Sequence, residues 1–426
     1  MHAASQLGFT LPAVSILAAT SVLLAPDTAH AQWTVTNLHP TAGTVPTVRS
    51  YAEGSGDGRQ GGYVYAGGRD RATVWSGSAT VNIQDRHPAG ATYSRIYSTA
   101  PGPGGDCVGV ARFSLDHAAL WDGAALTFVD LHPAGGFSSV AYGTDGVQQV
   151  GITYFGIPPA GQYYASLWSG DAASFVSLHP PGMFSSFAYA VHNGWQVGYT
   201  DPSGTGTSIN AALWAGTPES WTNLHPGGVS AYSIAFAVYA GKQGGIFELG
   251  GAEHAALWNG TPFSLIDLNP AGAADSEVSG MGEGVQVGSA NIGGVRHAGF
   301  WAGTAESWVD LHAVLTGSWG DTDAESVWIG NGQMYITGSG FNIANSRDEA
   351  LLWVGPVPTP TCDSVDFNGD TLFPDTQDIT DFLTVFGGGN CPTTACGDID
   401  FNNDGLFPDT DDIAALIRVF GGGNCT

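Results

Sequence analysis

One phrase returns along this chain and limits what it can fold into. A short run of small apolar residues ends in tryptophan, and a strand ending in Leu-His-Pro follows. The clearest copy reads His117-Ala118-Ala119-Leu120-Trp121, then Phe128-Val129-Asp130-Leu131-His132-Pro133. The tryptophan recurs as Trp75, Trp168, Trp214, Trp258, Trp301 and Trp353. The second half recurs at Leu38-His39-Pro40, Arg86-His87-Pro88, Leu178-His179-Pro180, Leu224-His225-Pro226, Leu268-Asn269-Pro270 and Leu311-His312. Successive His or Asn positions lie 48, 45, 47, 46, 44 and 43 residues apart. A period of roughly 40 to 50 residues fits a propeller blade or a paired-helix repeat.

The residues inside one unit decide between these. The unit around Ser138 contains four strand-like pieces, a to d: Ser139–Tyr142, Gln149–Tyr154, Ala165–Trp168 and Ser174–Leu178. Each is rich in β-branched and aromatic residues, and Gly-Thr-Asp-Gly or Ser-Gly-Asp turns separate them. No sustained helical period occurs between the N-terminal segment and residue 360, which removes the paired-helix option. Piece d first occurs alone, at 33–38. Six complete a-b-c-d units follow, and then an a-b-c set ending at Trp353. The orphan d and the orphan a-b-c are complementary. Joining them pairs an otherwise open sheet edge and closes a ring. The expectation is an all-β, seven-bladed β-propeller over 32–355, closed by its N-terminal strand. The unit near Tyr51 to Gly68 is the weakest, and six or eight blades are the alternatives.

These units resemble the extracellular repeats named for a His-Ala-Phe core. In that family a Gly-x-x-Val-Gly strand precedes His-Ala-x-x-Trp and Gly. Here Val285-Gln286-Val287-Gly288 precedes His297-Ala298-Gly299-Phe300-Trp301 and Gly303, and Gln196-Val197-Gly198 precedes Asn210-Ala211-Ala212-Leu213-Trp214 and Gly216. The pattern departs where Arg71, Tyr164, Asn210 or Glu349 replaces the leading His. The resemblance implies a secreted β-repeat domain and no particular reaction.

Charge narrows the partners. Lys and Arg total 11 against 38 Asp and Glu, a net charge of -27. Nucleic acid and anionic membranes are bound through basic residues, so both are excluded as partners. Residues 1–31 read as an export signal: an apolar core runs from about Leu11 to Leu24, and Ala29-His30-Ala31 is a small-x-small cleavage site. The n-region lacks Lys and Arg, which leaves a buried N-terminal helix as the other reading. No other stretch can span a bilayer. The expected location is secreted, extracellular or cell-surface, as for a bacterial exported protein.

Past Val354 the composition changes. Residues 356–361 form a Pro/Thr linker, and 362–426 hold two copies of a roughly 30-residue unit. Cys362 and Cys391 flank the first copy and Cys396 and Cys425 the second, each pair 29 residues apart. The simplest pairing is therefore Cys362–Cys391 with Cys396–Cys425, although four cysteines allow three pairings. Cys107 is left over in a predicted buried strand, as a packed thiol. Within the copies, Asp366-x-Asn368-x-Asp370 and Asp400-x-Asn402-x-Asp404 place carboxylate and amide oxygens at alternate positions, the spacing of a calcium loop. Asp375 and Asp378, or Asp409 and Asp412, supply further oxygens. Asp411 is an alternative last ligand, but the first copy has Gln377 there. Ile379, Phe382, Leu383 and Phe386, and equally Ile413, Leu416, Ile417 and Phe420, follow helical spacing. The duplicated loop-helix resembles a type I dockerin, of the variant containing Leu-Phe-Pro-Asp-Thr. Each loop is one residue longer than that family's, with Pro374 and Pro408 in the insertion. The resemblance implies two Ca²⁺ ions and a docking partner, cohesin-like or otherwise. The alternative is a pair of acidic stapled turns that bind no metal.

The repeated histidines are expected to be structural. A catalytic site needs different residues in defined roles at one place, whereas these recur around the ring. The same holds for His117, His254 and His297, for Asp130, Asp267 and Asp310, and for the tryptophans, which suit packing between blades. Two functions remain. One is a secreted, non-catalytic binding or scaffold protein with a calcium-dependent docking tail. The other is a propeller enzyme, a lyase or glycoside hydrolase acting on extracellular polysaccharide. That enzyme needs symmetry-breaking acids at the axis, and the divergent last blade (Trp319 to Asp323, Arg347 to Glu349) is where they are expected.

Overall fold

Strand a of the third unit, Ser138–Thr144, pairs antiparallel with Gln149–Phe155. That strand pairs with Gln162–Trp168, which pairs with the short Val176–Ser177. The a, b and c boundaries extend the expected ones by a few residues. Piece d is shorter than expected, because a 3-10 turn at Ala172–Ser174 takes its first residue. As the outermost strand of the blade, d has its free edge towards solvent, and a short edge is a poor template for wrong pairing.

This computed structural model describes residues 33–41, 47–77, 84–102, 105–123, 125–206, 208–228, 230–358, 365–368, 376–392, 396, 399–402 and 410–421. It contains seven four-stranded antiparallel sheets in a ring. Six run a-b-c-d in chain order, starting at Thr47. The seventh consists of Trp319–Gly330, Gln333–Asn342 and Arg347–Pro356, completed by the N-terminal strand Thr34–Asn37. The closing register pairs Thr34 with Val354 and Asn37 with Leu351. The protein is thus a seven-bladed β-propeller closed by its first strand, and the unit near Tyr51 is a complete blade.

Each repeated tryptophan is at most 1% exposed. Each packs against the preceding blade: Trp168 lies with Val108, Ala118, Leu120 and Leu131, and Trp75 lies with Leu38, Ala350 and Leu352 across the closure. Burying a large ring at every interface supplies most of the cohesion between sheets that share no hydrogen-bonded ladder.

The Leu-His-Pro histidines form a second set of clips. His132 Nδ1 lies 2.8 Å from Ser139 Oγ, and that oxygen accepts the Ala118 amide of the preceding blade at 2.9 Å. His132 Nε2 lies 3.1 Å from the Gly136 carbonyl, so it carries the proton. Nδ1 is then an acceptor, and the serine O–H donates to it. Equivalent His–Ser or His–Thr contacts occur at His39, His87, His179, His225 and His312. In the remaining blade Asn269 Oδ1 takes the place of Nδ1. The histidines are structural, and each holds two blades together.

In the tail, helices α1 (Thr376–Phe386) and α2 (Thr410–Phe420) share a small core of Phe367, Phe382, Phe401, Ala415 and Leu416. Leu383 and Ile417, which match by position, stay exposed. The disulfide expectation needs correction. Cys391 is bonded to Cys396, with their Cα atoms 5.8 Å apart, and not to Cys362. Only four residues separate the two, and both units pack on one core. Cys362 and Cys425 lie outside the described residues, as do residues 1–31. Among the described residues, no helix is long and apolar enough to cross a membrane.

Candidate functional site at the propeller axis

Strand a is the innermost strand of every blade, and in every blade its register slips at one matching place. The slips fall between Ala52 and Gly54, Ile96 and Ser98, Ala141 and Gly143, Ala188 and Ala190, Ala235 and Ala237, Val278 and Gly280, and Ala324 and Ser326. Each slip is a β-bulge that leaves one residue unpaired and re-aims its side chain. The recurring glycine of strand b makes room for it. A Cβ on Gly151 or Gly198 would collide with the carbonyl oxygen of Val140 or Phe187, two residues before the bulge. The Val-Gly signature of the repeat is therefore the partner of the bulge.

The seven bulge residues are Glu53, Tyr97, Tyr142, Tyr189, Phe236, Ser279 and Glu325, and all line one axial cavity of about 480 Å³. This is the size of an ordinary small-ligand site. Tyr97–Tyr142, Tyr142–Tyr189 and Tyr189–Phe236 ring centroids are 5.6, 5.4 and 5.3 Å apart, so four blades contribute a continuous aromatic arc. The other three contribute Ser279, Glu325 and Glu53. Glu277, two residues before Ser279 on the same strand, also lines the cavity. Asp145, His192, Tyr239 and Glu283 stand near the a–b turns at its mouth.

The electrostatics are as asymmetric as the walls. Burial raises the Glu53 carboxyl to about 7, with nearby Arg95 opposing the rise and Asp323 adding to it. Glu325 is raised well above the ordinary range by burial, then by the negative charges of Glu53, Asp323 and Glu277. Glu277 is raised by burial and partly restored by Arg296. Arg296 bridges Glu277 at 2.6 Å and Asp323 at 2.9 Å. Glu53 and Glu325 are partly exposed to the channel, and neither makes a hydrogen bond or ion pair among the described residues. Two carboxyls on adjoining blades, one of them half-protonated near neutrality, can hold a proton, release it or face a cation.

The last blade contributes less than its sequence implied. Glu325 does line the axis. Glu349, however, is 1% exposed and is held by Asn37, Asn342, Asn345 and Arg347. Asp348 accepts from the Tyr51 hydroxyl, and Asp321 accepts the Arg296 amide. These groups tie strands together. His117, His254 and His297 each donate from Nδ1 to Asp130, Asp267 and Asp310 of strand d at 2.8 Å. They too are structural rungs.

In the tail, Asp378 and Asp412 are both 0% exposed at matching places in α1 and α2, whereas Gln377 and Asp411 are exposed. The Asn368 amide donates to Asp378 at 3.4 Å, and its side-chain amide donates to Asp381 at 3.1 Å. Asp366, Asp400 and Asn402 lie at the described ends of the two loops. Asp370, Asp375, Asp404 and Asp409 fall outside the described residues. Among the described residues no three His, Cys, Asp or Glu side chains converge as metal ligands. The same position of both helices thus holds a fully buried carboxyl.

No protein-family model and no curated protein matches the chain. Among solved structures it is similar to a chain from a structural and mechanistic analysis of two prolyl endopeptidases, at 10% identity and TM-score 0.47, over 78% of this chain and 51% of that one. It is also similar to the propeller domain of the Trilobed protease from Pyrococcus furiosus, at 10% identity and TM-score 0.49, over 72% of this chain and 95% of that one. A third is an acylaminoacyl peptidase from Pyrococcus horikoshii, at 8% identity and TM-score 0.48, over 77% and 54%. The chain thus spans about half the length of the first and third of these. At this level the likeness extends to a propeller and no further.

Sequence reading missed the bulge residues. Their signal was weak: with the units aligned on the buried serine or threonine of strand a, the third residue onward changes chemistry around the ring, but the residue directly after the serine (Tyr51, Arg95, Val140, Phe187, Ile234, Glu277, Asp323) changes at least as much.

Proposed function

We propose that this is an exported ligand-binding protein. Its propeller holds a ligand in the axial pocket, and its tail is a calcium-dependent docking or anchoring unit of the dockerin type. The observation that carries the binding reading is the bulge position. Every blade builds it with the same backbone, yet it holds three chemical classes of side chain arranged in sectors. A purely structural ring would have no reason to sort them. The decisive test is a screen of neutral and charged oligosaccharides and small molecules against the full chain and its Tyr189→Leu variant. Loss of every hit in the variant supports the pocket as the site, and unchanged binding refutes it.

For the tail, Asp366, Asn368, Asp378, Asp400, Asn402 and Asp412 would contribute to two Ca²⁺ sites, with Asp370, Asp375, Asp404 and Asp409 completing them. Ca²⁺ would supply charge compensation and hold each loop against its helix. The small core of the tail makes folding there dependent on such staples. Chelator is expected to unfold 362–426 while the propeller keeps its β spectrum. A tail that protects its amides from exchange equally with and without calcium would refute this.

The polysaccharide-degrading alternative keeps one specific support. Glu53 and Glu325 sit on adjoining blades as two carboxyls with raised proton affinity, the raw material for an acid–base pair. Reducing-end release from any polysaccharide, abolished by Glu325→Gln with binding retained, would favour it.

A further inference from the structure

The walls of the axial pocket divide by chemistry. The touching rings of Tyr97, Tyr142, Tyr189 and Phe236 cover blades two to five. Glu277, Glu325 and Glu53 cover blades six, seven and one, and Asp145 and Glu283 add two more acids at the mouth. No lysine or arginine lines the cavity among the described residues. The arginines behind the wall are engaged. Arg296 is held by Glu277 and Asp323, and Arg95 is held by Asp70 at 2.8 Å. Glu53 and Glu325 thus face the cavity with no direct cationic partner.

We infer that the pocket takes an organic cation: an alkylammonium group seated against the aromatic arc, with its charge towards Glu53 and Glu325. This rests on the binding reading above and names its ligand class. A ring face attracts a cation through its quadrupole, most strongly where water is displaced. The carboxylates add the counter-charge. A hard metal ion fits less well, because it needs several oxygens converging at short distance, and these acids are spread over separate blades with no such convergence among the described residues. An anion meets only like charge. A neutral ligand leaves the acids uncompensated.

The protonation states give the inference a second readout. A cation favours ionised carboxyls, so its affinity rises with pH until Glu53 and Glu325 have lost their protons, and binding below that point releases protons. The tyrosines and the histidine on the wall act little in this range. The Tyr97, Tyr142, Tyr189 and Tyr239 hydroxyls are pushed up by burial and stay neutral, and burial lowers His192 so that it too is neutral above its ordinary range. Glu277 also lines the wall and is raised by burial against the pull of Arg296, so its proton is counted with those of Glu53 and Glu325.

The test is isothermal titration of the full chain at constant ionic strength. The probes are tetramethylammonium chloride and, as a neutral molecule of similar shape, tert-butanol. Tetramethylammonium is expected to bind about fivefold or more tightly at pH 8 than at pH 6, with proton release read from buffers of different ionisation enthalpy. Glu325→Gln and Glu53→Gln should each weaken it about fivefold and reduce the released proton, with unchanged circular dichroism; tert-butanol should give no saturable heat. Equal binding of the two probes overturns the inference, as does full affinity in both Gln variants. Wild-type protein that binds a neutral oligosaccharide in a Tyr189-dependent way but ignores tetramethylammonium overturns the cation and leaves the binding function standing. Wild-type protein that binds neither overturns both.

Discussion

The histidine clips make the propeller acid-sensitive in a way that one blade already shows how to remove. Six histidines, at 39, 87, 132, 179, 225 and 312, make the clip through Nδ1; at 87, 132 and 179, where Nε2 meets a carbonyl, Nδ1 accepts the hydroxyl hydrogen, and burial lowers the proton affinity of all six below the ordinary value of 6.5. The unfolded chain therefore takes up protons first as pH falls. A base with a lowered folded pKa contributes stability that is complete above 6.5 and is lost as pH drops below it. Each clip can contribute a slope of at most about 1.4 kcal/mol per pH unit, so six acting together approach about 8 kcal/mol per pH unit at the steepest point. Asn269 makes the same clip without titrating: Ser276 donates to its Oδ1 at 2.6 Å, and its Nδ2 donates to Ala273 at 3.4 Å. Changing His132→Asn should cost no more than about 1.5 kcal/mol at pH 8, roughly one hydrogen bond. His132→Ala strands the Ser139 hydroxyl and the Gly136 carbonyl and should cost about 2 to 4 kcal/mol. Urea unfolding from pH 8 to pH 5 reads both effects. Relative to wild type, each His→Asn change should remove up to one proton of uptake, and the sixfold variant should flatten the curve except for its carboxylates. Superimposable pH slopes for wild type and the sixfold variant would refute the assigned tautomer and the clip.

Three further outcomes follow from the same contacts. At the closure, Asn37 Nδ2 donates to Glu349 Oε2 at 2.6 Å, so Asn37→Asp sets two carboxylates together; it should destabilise by roughly 3 kcal/mol, and adding Glu349→His, which reproduces the His117–Asp130 rung, should recover most of that in thermal unfolding. Gly198→Ala should cost roughly 3 kcal/mol, because its Cβ meets the Phe187 carbonyl and the bulge at Tyr189 cannot keep its shape; a neutral effect would mean that the bulge does not depend on glycine. Cys107 is fully buried with its thiol pushed up to about 11, so a thiol reagent should leave it unmodified in the native protein and label it on unfolding, while non-reducing peptide mapping should recover the Cys391–Cys396 cross-link.

Blade number, strand order and ring closure were legible because they depend on counting. An orphan Trp33–Leu38 piece and an orphan a-b-c set have one complementary solution. The structural status of the histidines was also legible, from their recurrence. The axial site was not, because the search for asymmetry went to the most divergent blade. Divergence in Arg347 to Glu349 reflects closure, where polar partners had to be rearranged around a strand from the other end of the chain. The informative variation lay instead in one position of otherwise regular blades, and only the register slips reveal that this position is unpaired and points inward. The disulfide pairing was misread because duplication in sequence invites pairing within each copy, whereas the shared core of Phe367, Phe382 and Phe401 makes the two copies one unit.

Three kinds of position can thus be separated by how they vary. Tryptophan, buried serine or threonine, and strand-b glycine hold nearly constant around the ring, since every blade interface and every bulge has the same geometry to fill. The c–d rung varies in pairs. Arg71 meets Asp85, His117 meets Asp130, His254 meets Asp267 and His297 meets Asp310, while at the closure the polarity is reversed and Asn37 donates to Glu349. The reversal has a physical use. An acidic d strand from another unit would set its carboxylate against Glu349, so the last blade rejects those strands and accepts the N-terminal one, which discriminates among competing pairings as like charges do in other strand pairs. The bulge position is unpaired in the strand ladder and so varies with neither constraint, although Tyr189 meets Phe187 and Tyr199 of its own blade. Freedom from ladder pairing is what lets a repeat protein sort acids and aromatic rings into opposite sectors of one cavity, and it makes this position the place where the ring can carry a function.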